Sequence, residues 1–181
     1  MSDGIHLTDY HNAVIDWITQ NVDWLQAVQY YPEIQTELPA PCAFFGVEDW
    51  EMSESQPMNG MLAVDLNCKL MVVFGVIDPA YQLEVRNAAM ALCIKLQDQR
   101  FGLPIEPVVL QGAEPDDFQP ELDDYAVWSI RFMQTIEVGE DFYKPEGIIP
   151  TTVMVGYSPD IGTKNEDKYE QVVPSGLNTD N

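Results

Sequence analysis

From Leu62 to Val76 the chain alternates. Leu62, Val64, Leu66, Cys68, Leu70, Val72, Phe74 and Val76 are apolar, and Asp65, Asn67 and Lys69 fall between them. Successive side chains of a strand point to opposite faces, so a period of two predicts a long strand with one face on the core. Met71 and Val73 make the second face apolar too towards its end. That end is covered either within the subunit or by another one. A second alternating run sets Ala126, Trp128, Ile130, Phe132, Ile136 and Val138 on one face and Ser129, Arg131 and Thr135 on the other. Helical stripes complete the pattern. Tyr10, Val14, Trp17 and Ile18 recur at helical spacing after Thr8, a capping residue, in a helix that ends near Asn21. Tyr81, Val85, Ala88, Ala89, Leu92 and Leu96 mark one side of a helix that opens at Asp78-Pro79 and runs to about Gln99.

The intervening segments are shorter. Trp24 to Tyr31 is a short strand or a continuation of the first helix, closed by Pro32, and Glu33 to Leu38 forms a helical turn or two. Pro39 and Pro41 lead into a strand from Cys42 to Glu48, followed by an acidic loop from Asp49 to the Asn59-Gly60 turn pair. Ile105 to Leu110 reads as a strand in which Pro107 favours an edge or a bulge, and a second acidic loop begins at Glu114. This order predicts an α+β fold, a mostly antiparallel (mixed) β-sheet with two α-helices packed on one face. The domain spans residues 1–138. Beyond Gly139 prolines and glycines punctuate an acidic arm, 139–181, which is expected to be partly disordered and able to pair with another chain as a strand.

Charge changes this picture. Thirty Asp and Glu against eight Lys and Arg give a formal charge of −22, and eleven acids precede the first basic residue, Lys69. Hydrophobic residues make up 46% of the chain, too many for a disordered acidic polymer. The chain should therefore fold around a real core and wear a negative surface that repels nucleic acid. Its longest apolar run, Leu70 to Ile77, is too short to span a bilayer, and the amino terminus lacks the basic and apolar regions of a secretory signal. Cys42, Cys68 and Cys93 are scattered without zinc spacing and read as reduced, buried thiols of a cytosolic compartment.

No catalytic constellation emerges. His6 and His11 are five apart, not at the helical spacing of zinc ligands, and Gly156-Tyr-Ser158-Pro159 departs from a nucleophile elbow. No phosphate-binding glycine loop is present, and the Glu114 to Asp124 acids lack the order of a calcium loop. The reading is a protein without enzymatic activity, cofactor or metal. Phe44 and Phe45 are adjacent and must face opposite sides of a strand, Trp50 sits in an acidic loop, and Met71 and Val73 add a second apolar face. Together Phe44, Phe45, Trp50, Met71 and Val73 suggest a subunit interface.

With this layout in hand, the chain resembles the tail terminator proteins of long-tailed bacteriophages. The resemblance covers roughly residues 8–138: the first helix, Pro41-Cys-Ala-Phe-Phe-Gly-Val-Glu, the alternating strand Met61 to Ile77, the Ala-rich helix at Asp78-Pro79, and Trp128-Ser-Ile-Arg-Phe-Met-Gln. It implies helices packed on a mixed sheet, a ring of copies (a hexamer in that family) seated on the last ring of the tail tube, and a surface offered to the head connector. It also implies location in the virion after assembly in the host cytoplasm, and no catalytic residues. The arm departs from shorter family members and could grip a neighbouring subunit or a tail sheath. A ring through which duplex DNA slides should not hold it, because cations on its wall would add counterion-release affinity at each phosphate. Glu48, Asp49, Glu51, Glu54, Glu114, Asp116, Asp117, Glu121, Asp123 and Asp124 are therefore expected to line or rim the channel, DNA passing without specific binding. Alternatives are a head–tail connector or tail-completion protein of similar fold, an acidic DNA-mimic-like factor that binds a host protein, and a carbohydrate-active enzyme using the Glu48 to Glu54 carboxylates.

Overall fold

The computed structural model describes residues 4–30, 38–76, 80–116, 125–142 and 152–172, and divides the chain into two units, Met1–Tyr143 and Lys144–Asn181. The first unit contains α1 (Leu7–Asn21), β1 (Ala27–Gln29), β2 (Cys42–Met52), β3 (Leu62–Gly75), α2 (Tyr81–Leu96), β4 (Val109–Pro115) and β5 (Tyr125–Val138). Its sheet has the order β1-β2-β3-β5-β4. Among the described residues β1 runs parallel to its neighbour, β2, and the other pairings of this sheet are antiparallel. The fold is α+β. At the centre β3 and β5 pair along their whole length, from Leu62 opposite Val138 to Gly75 opposite Tyr125.

Both helices lie on one face of the sheet. Tyr10, Val14 and Ile18 of α1 and Ala89, Leu92 and Leu96 of α2 share one core with Phe45, Val64, Leu66, Cys68, Leu70, Val72, Ile130, Phe132 and Ile136. The alternation of β3 is thus the division between core and open face. Among the described residues, one side-chain amide lies in this core. Gln134 is fully buried, and its Oε1 accepts from the Tyr10 hydroxyl at 2.8 Å. Its Nε2 donates to the Gln99 carbonyl at 3.0 Å and the Glu106 carbonyl at 2.8 Å. A single amide therefore ties α1, β5 and the connection after α2 together, and its own donors and acceptor are satisfied although the side chain is buried.

Several local expectations shift for physical reasons. α1 begins at Leu7 after His6, not at a Thr8 cap, and no side chain caps it. Its start is held from a distance: Gly4 N–H donates to Gly139 O and Ile5 N–H to Glu137 O, both at 2.8 Å. α2 is described from Tyr81, and the Asp78-Pro79 start and the 33–37 turn lie outside the described residues. The edge strand β4 is displaced from Ile105–Leu110 to Val109–Pro115. Ile105 and Val108 enter the core instead, where the Val108 N–H donates to Gln99 O at 2.9 Å. β2 continues to Met52, so Asp49, Trp50 and Glu51 stand on a strand and not in a loop.

The proposed apolar interface is also corrected. Phe45 belongs to the helix-side core, stacked on Phe132 at 6.1 Å. Phe44, Met71 and Val73 form a second buried cluster with Cys42 and Val127 on the opposite face. Ala27, Leu38 and Tyr125 pack against that cluster, and the Leu38 N–H donates to the Tyr125 hydroxyl at 3.1 Å. The chain covers its own second apolar face at this end. Of the five residues assigned to a subunit interface, Trp50 alone is exposed, at 59%.

The first unit extends past Val138 to Tyr143. The Phe142 N–H donates to Asn59 O at 2.9 Å, and its ring lies over Gly60, where a Cβ would come within 1.9 Å. Gly60 also has φ +90, a conformation glycine adopts freely. The described part of the second unit is a small antiparallel pair, β6 (Val153–Val155) with β7 (Glu170–Val172), with a 3-10 turn at Glu166–Lys168 between the two strands. The Tyr169 ring closes over Gly156, and Lys168 pairs with Asp160 at 2.7 Å. Here the arm pairs with itself; residues 173–181 lie outside the described residues.

Replacing Gln134 by Leu removes three hydrogen bonds but little volume, and takes from the buried Tyr10 hydroxyl its amide partner. Urea denaturation should show a loss of about 3 kcal/mol, against about 1 kcal/mol for Tyr10→Phe. Thiol labelling checks the packing. Burial pushes the Cys42 thiol up to about 11 and Cys68 to about 12, and raises Cys93, which is only partly covered. At neutral pH iodoacetamide should reach Cys93 in the native protein, and Cys42 and Cys68 only after urea unfolds it.

Candidate functional site

The open face of the sheet is built by the positions that alternate with the core. On β3 these are Asp65, Asn67 and Lys69, and on β5 Ser129, Arg131, Thr135 and Glu137; the register sets Asp65 opposite Thr135 and Lys69 opposite Arg131. On β2 the pairing shifts between Val47 and Asp49, so Glu48 and Asp49 together oppose Asn67. This bulge resets the phase of the strand. Before it Phe45 and Val47 face the helices; after it Trp50 and Met52 do, opposite Leu66 and Val64. Glu48, Asp49 and Glu51 consequently all face the open side. A second shift, between Leu110 and Gly112 on β4, keeps Glu114 opposite Ser129 on that side.

Seven carboxylates (Glu48, Asp49, Glu51, Asp65, Glu114, Asp116 and Glu137) thus share one surface with Lys69 and Arg131, seven against two, a formal excess of five negative charges. Cross-strand bonds hold most of them. Lys69 Nζ lies 2.7 Å from Asp116 and 3.6 Å from Glu48. The buried Ser129 hydroxyl donates to Asp116 Oδ2 at 2.7 Å. Arg131 reaches Glu114 at 3.0 Å. Asn67 Nδ2 donates to Asp49 at 2.6 Å, and the Thr135 hydroxyl to Asp65 at 2.6 Å. Glu51 directly opposes Asp65 in the ladder, a like-charge pair that costs stability.

Of the acids expected at a channel wall, Glu48, Asp49, Glu51, Glu114 and Asp116 come together here. Glu54 stands apart, exposed in the β2–β3 hairpin connection. Asp117, Glu121, Asp123 and Asp124 lie outside the described residues. Asp65 and Glu137 were missed, although the alternation of β3 and β5 already sets them opposite the core positions. The bulge had a signal as well: the apolar residues of β2 move from odd numbers (Phe45, Val47) to even ones (Trp50, Met52) across the Glu48-Asp49 pair.

The chemistry this face can perform is electrostatic. Among the described residues no group of three or more His, Cys, Asp or Glu side chains is placed to hold a metal ion. A shallow depression of about 290 Å³ lies at the β4 bulge, lined by Gln111, Gly112, Ala113, Glu114 and Arg131. His6 and His11 lie on the other side of the sheet, with α1. Burial lowers the His11 imidazole below its usual value, and its ring stacks on Tyr30 at 5.6 Å. Among the described residues no helix is long and apolar enough to cross a membrane. No protein-family model matches this sequence, and comparison with curated proteins finds no match.

The ion pairs on this face differ in burial, and their removal should separate accordingly. Asp116 is 7% exposed and Lys69 14%, so Asp116→Ala strips a largely desolvated cation of its nearest partner and should cost about 2–3 kcal/mol in urea denaturation. Glu114 and Arg131 are half in water, and Glu114→Ala should cost less than about 0.5 kcal/mol.

Proposed function

We propose that this chain is a subunit of the ring that ends the tail tube of a long-tailed bacteriophage, offering a surface to the head connector and letting DNA pass. The observation that carries this reading is the acidic sheet face. A surface selected for stability alone would not set Glu51 against Asp65 without a cation, nor bulge a strand so that two consecutive carboxylates face one way. A wall that must stay clear of a polyanion has that use for them. Repulsion screened over roughly 8 Å at physiological salt acts only near the wall, which suits a narrow channel. The arrangement of two helices on one side of long antiparallel strands supports the same reading, since it leaves the acidic face open. Most of these acids stand on strands and are held by neighbours, so the repulsive surface keeps its shape. A basic host protein is the other partner this face suits.

The test combines the purified full-length protein with the tube protein of the same virion, followed by native mass spectrometry and negative-stain microscopy. Rings at one end of length-limited tubes are expected. Wild-type protein should leave duplex DNA unbound at low salt, and the triple variant Glu48→Lys, Asp49→Lys, Glu51→Lys should bind it with a steep salt dependence. Uncapped tubes with the protein still monomeric would sink the proposal. A tight one-to-one complex with a basic DNA-handling protein would replace it with the DNA-mimic reading.

A further inference from the structure

Asn59-Gly60 is the only Asn-Gly pair in the chain. It lies in the connection between β2 and β3, outside the ladder, with Asn59 half-buried and Gly60 exposed. Gly60 takes φ +90 beneath the Phe142 ring, so the turn requires glycine there. The same missing side chain leaves the Gly60 nitrogen unshielded towards the side-chain amide before it. Asn12, Asn21, Asn67, Asn87, Asn165 and Asn178 all precede residues that carry a Cβ.

The contacts of this turn set its chemistry. Asn59 Oδ1 accepts from the Met61 N–H at 3.1 Å. That bond draws electrons from Cγ and stabilises negative charge on the oxygen as a nucleophile adds, the part an oxyanion donor plays. Asn59 Nδ2 has the Met61 sulfur as its partner at 3.3 Å, a weak acceptor that holds the nitrogen loosely. The Gly60 N–H donates to no acceptor among the described residues, so its nitrogen can react without breaking a backbone hydrogen bond.

We propose that Asn59 is a self-modification site, converting through a succinimide to isoaspartate and aspartate. The Gly60 nitrogen attacks Asn59 Cγ and forms a C–N bond. The Cγ–Nδ2 bond breaks, and the nitrogen leaves as ammonia with the proton that Gly60 gives up through water. Water then opens the five-membered ring at either carbonyl. One opening leaves aspartate; the other leaves isoaspartate, whose main chain runs through the side-chain carbons and is one methylene longer. Asn59 O accepts from the Phe142 N–H at 2.9 Å, which fastens the end of the first unit to the hairpin. In isoaspartate that carbonyl leaves the main chain as a free carboxylate, and Gly60 moves from its place under the Phe142 ring. The modification thus unfastens the segment that follows β5 and adds a negative charge. It needs no partner chain, and stands apart from the ring reading.

Peptide mapping by mass spectrometry on full-length protein, aged in warm neutral and mildly alkaline buffer, tests it, with isoaspartyl methyltransferase to count isoaspartate. Asn59 should convert about tenfold or more ahead of every other asparagine, a barrier difference of about 1.4 kcal/mol, and faster at the higher pH. Hydrogen exchange at the Phe142 amide should lose protection in the isoaspartate fraction. It should keep it in Asn59→Asp, which has the new charge without the longer chain, and in the unreactive control Asn59→Ser. Native protein in which Asn59 stays intact, or converts no faster than the other asparagines, overturns the site. An isoaspartate fraction whose Phe142 amide exchanges no faster than that of Asn59→Ser overturns the unfastening.

Discussion

Everything in the larger unit depends on the ladder between β3 and β5. Its register, Leu62 opposite Val138 through Gly75 opposite Tyr125, decides for every residue of both strands which side it serves. A slip of one position would turn Asp65, Asn67 and Lys69 into the helices and expose Leu66, Cys68 and Leu70. The core and the acidic face are therefore the same decision seen from two sides. Gln134 adds a polar pin to it. Its amide finds all its partners only when β5 sits where the Tyr10 hydroxyl and the Gln99 and Glu106 carbonyls converge. Apolar packing alone tolerates small shifts that directional hydrogen bonds do not.

The parts of this structure legible in the sequence are those set by periodicity. The core faces of α1, β3 and β5 and the α+β class follow from spacings of two and of three to four. What periodicity cannot report is what covers a face. Phe44, Met71 and Val73 read as surplus apolar surface, and whether Leu38 and Tyr125 or another subunit lies over them depends on contacts between residues far apart in sequence. The start of α1 is similar. Thr8 is a good local cap, but hydrogen bonds from Gly4 and Ile5 to the end of β5 determine where the chain enters the helix. β4 was misplaced because Ile105 and Val108 are apolar for the sake of the core without belonging to the ladder.

The candidate site was half legible for a related reason. Glu48, Asp49, Glu51, Glu114 and Asp116 drew notice as runs of acid, but assigning them to loops hid their company. Asp65 and Glu137, isolated in otherwise ordinary strands, join them only through register. Acidity in this chain is thus arranged and not merely abundant. Lys69 and Arg131 stand where they neutralise Asp116 and Glu114 at the β4 side, leaving Glu51 and Asp65 uncompensated across β2 and β3.

The bulge in β2 has a further meaning in charge spacing. A regular strand places same-face residues about 6.8 Å apart, which caps the charge density any one strand can present. By setting Glu48 and Asp49 together opposite Asn67, the strand exceeds that limit at one point and returns to regular pairing at Trp50 and Leu66. Two consecutive carboxylates on one face are then fixed to one rung of the ladder. In a closed array of copies that rung would recur at a single height, turning scattered surface acids into a narrow collar of negative potential.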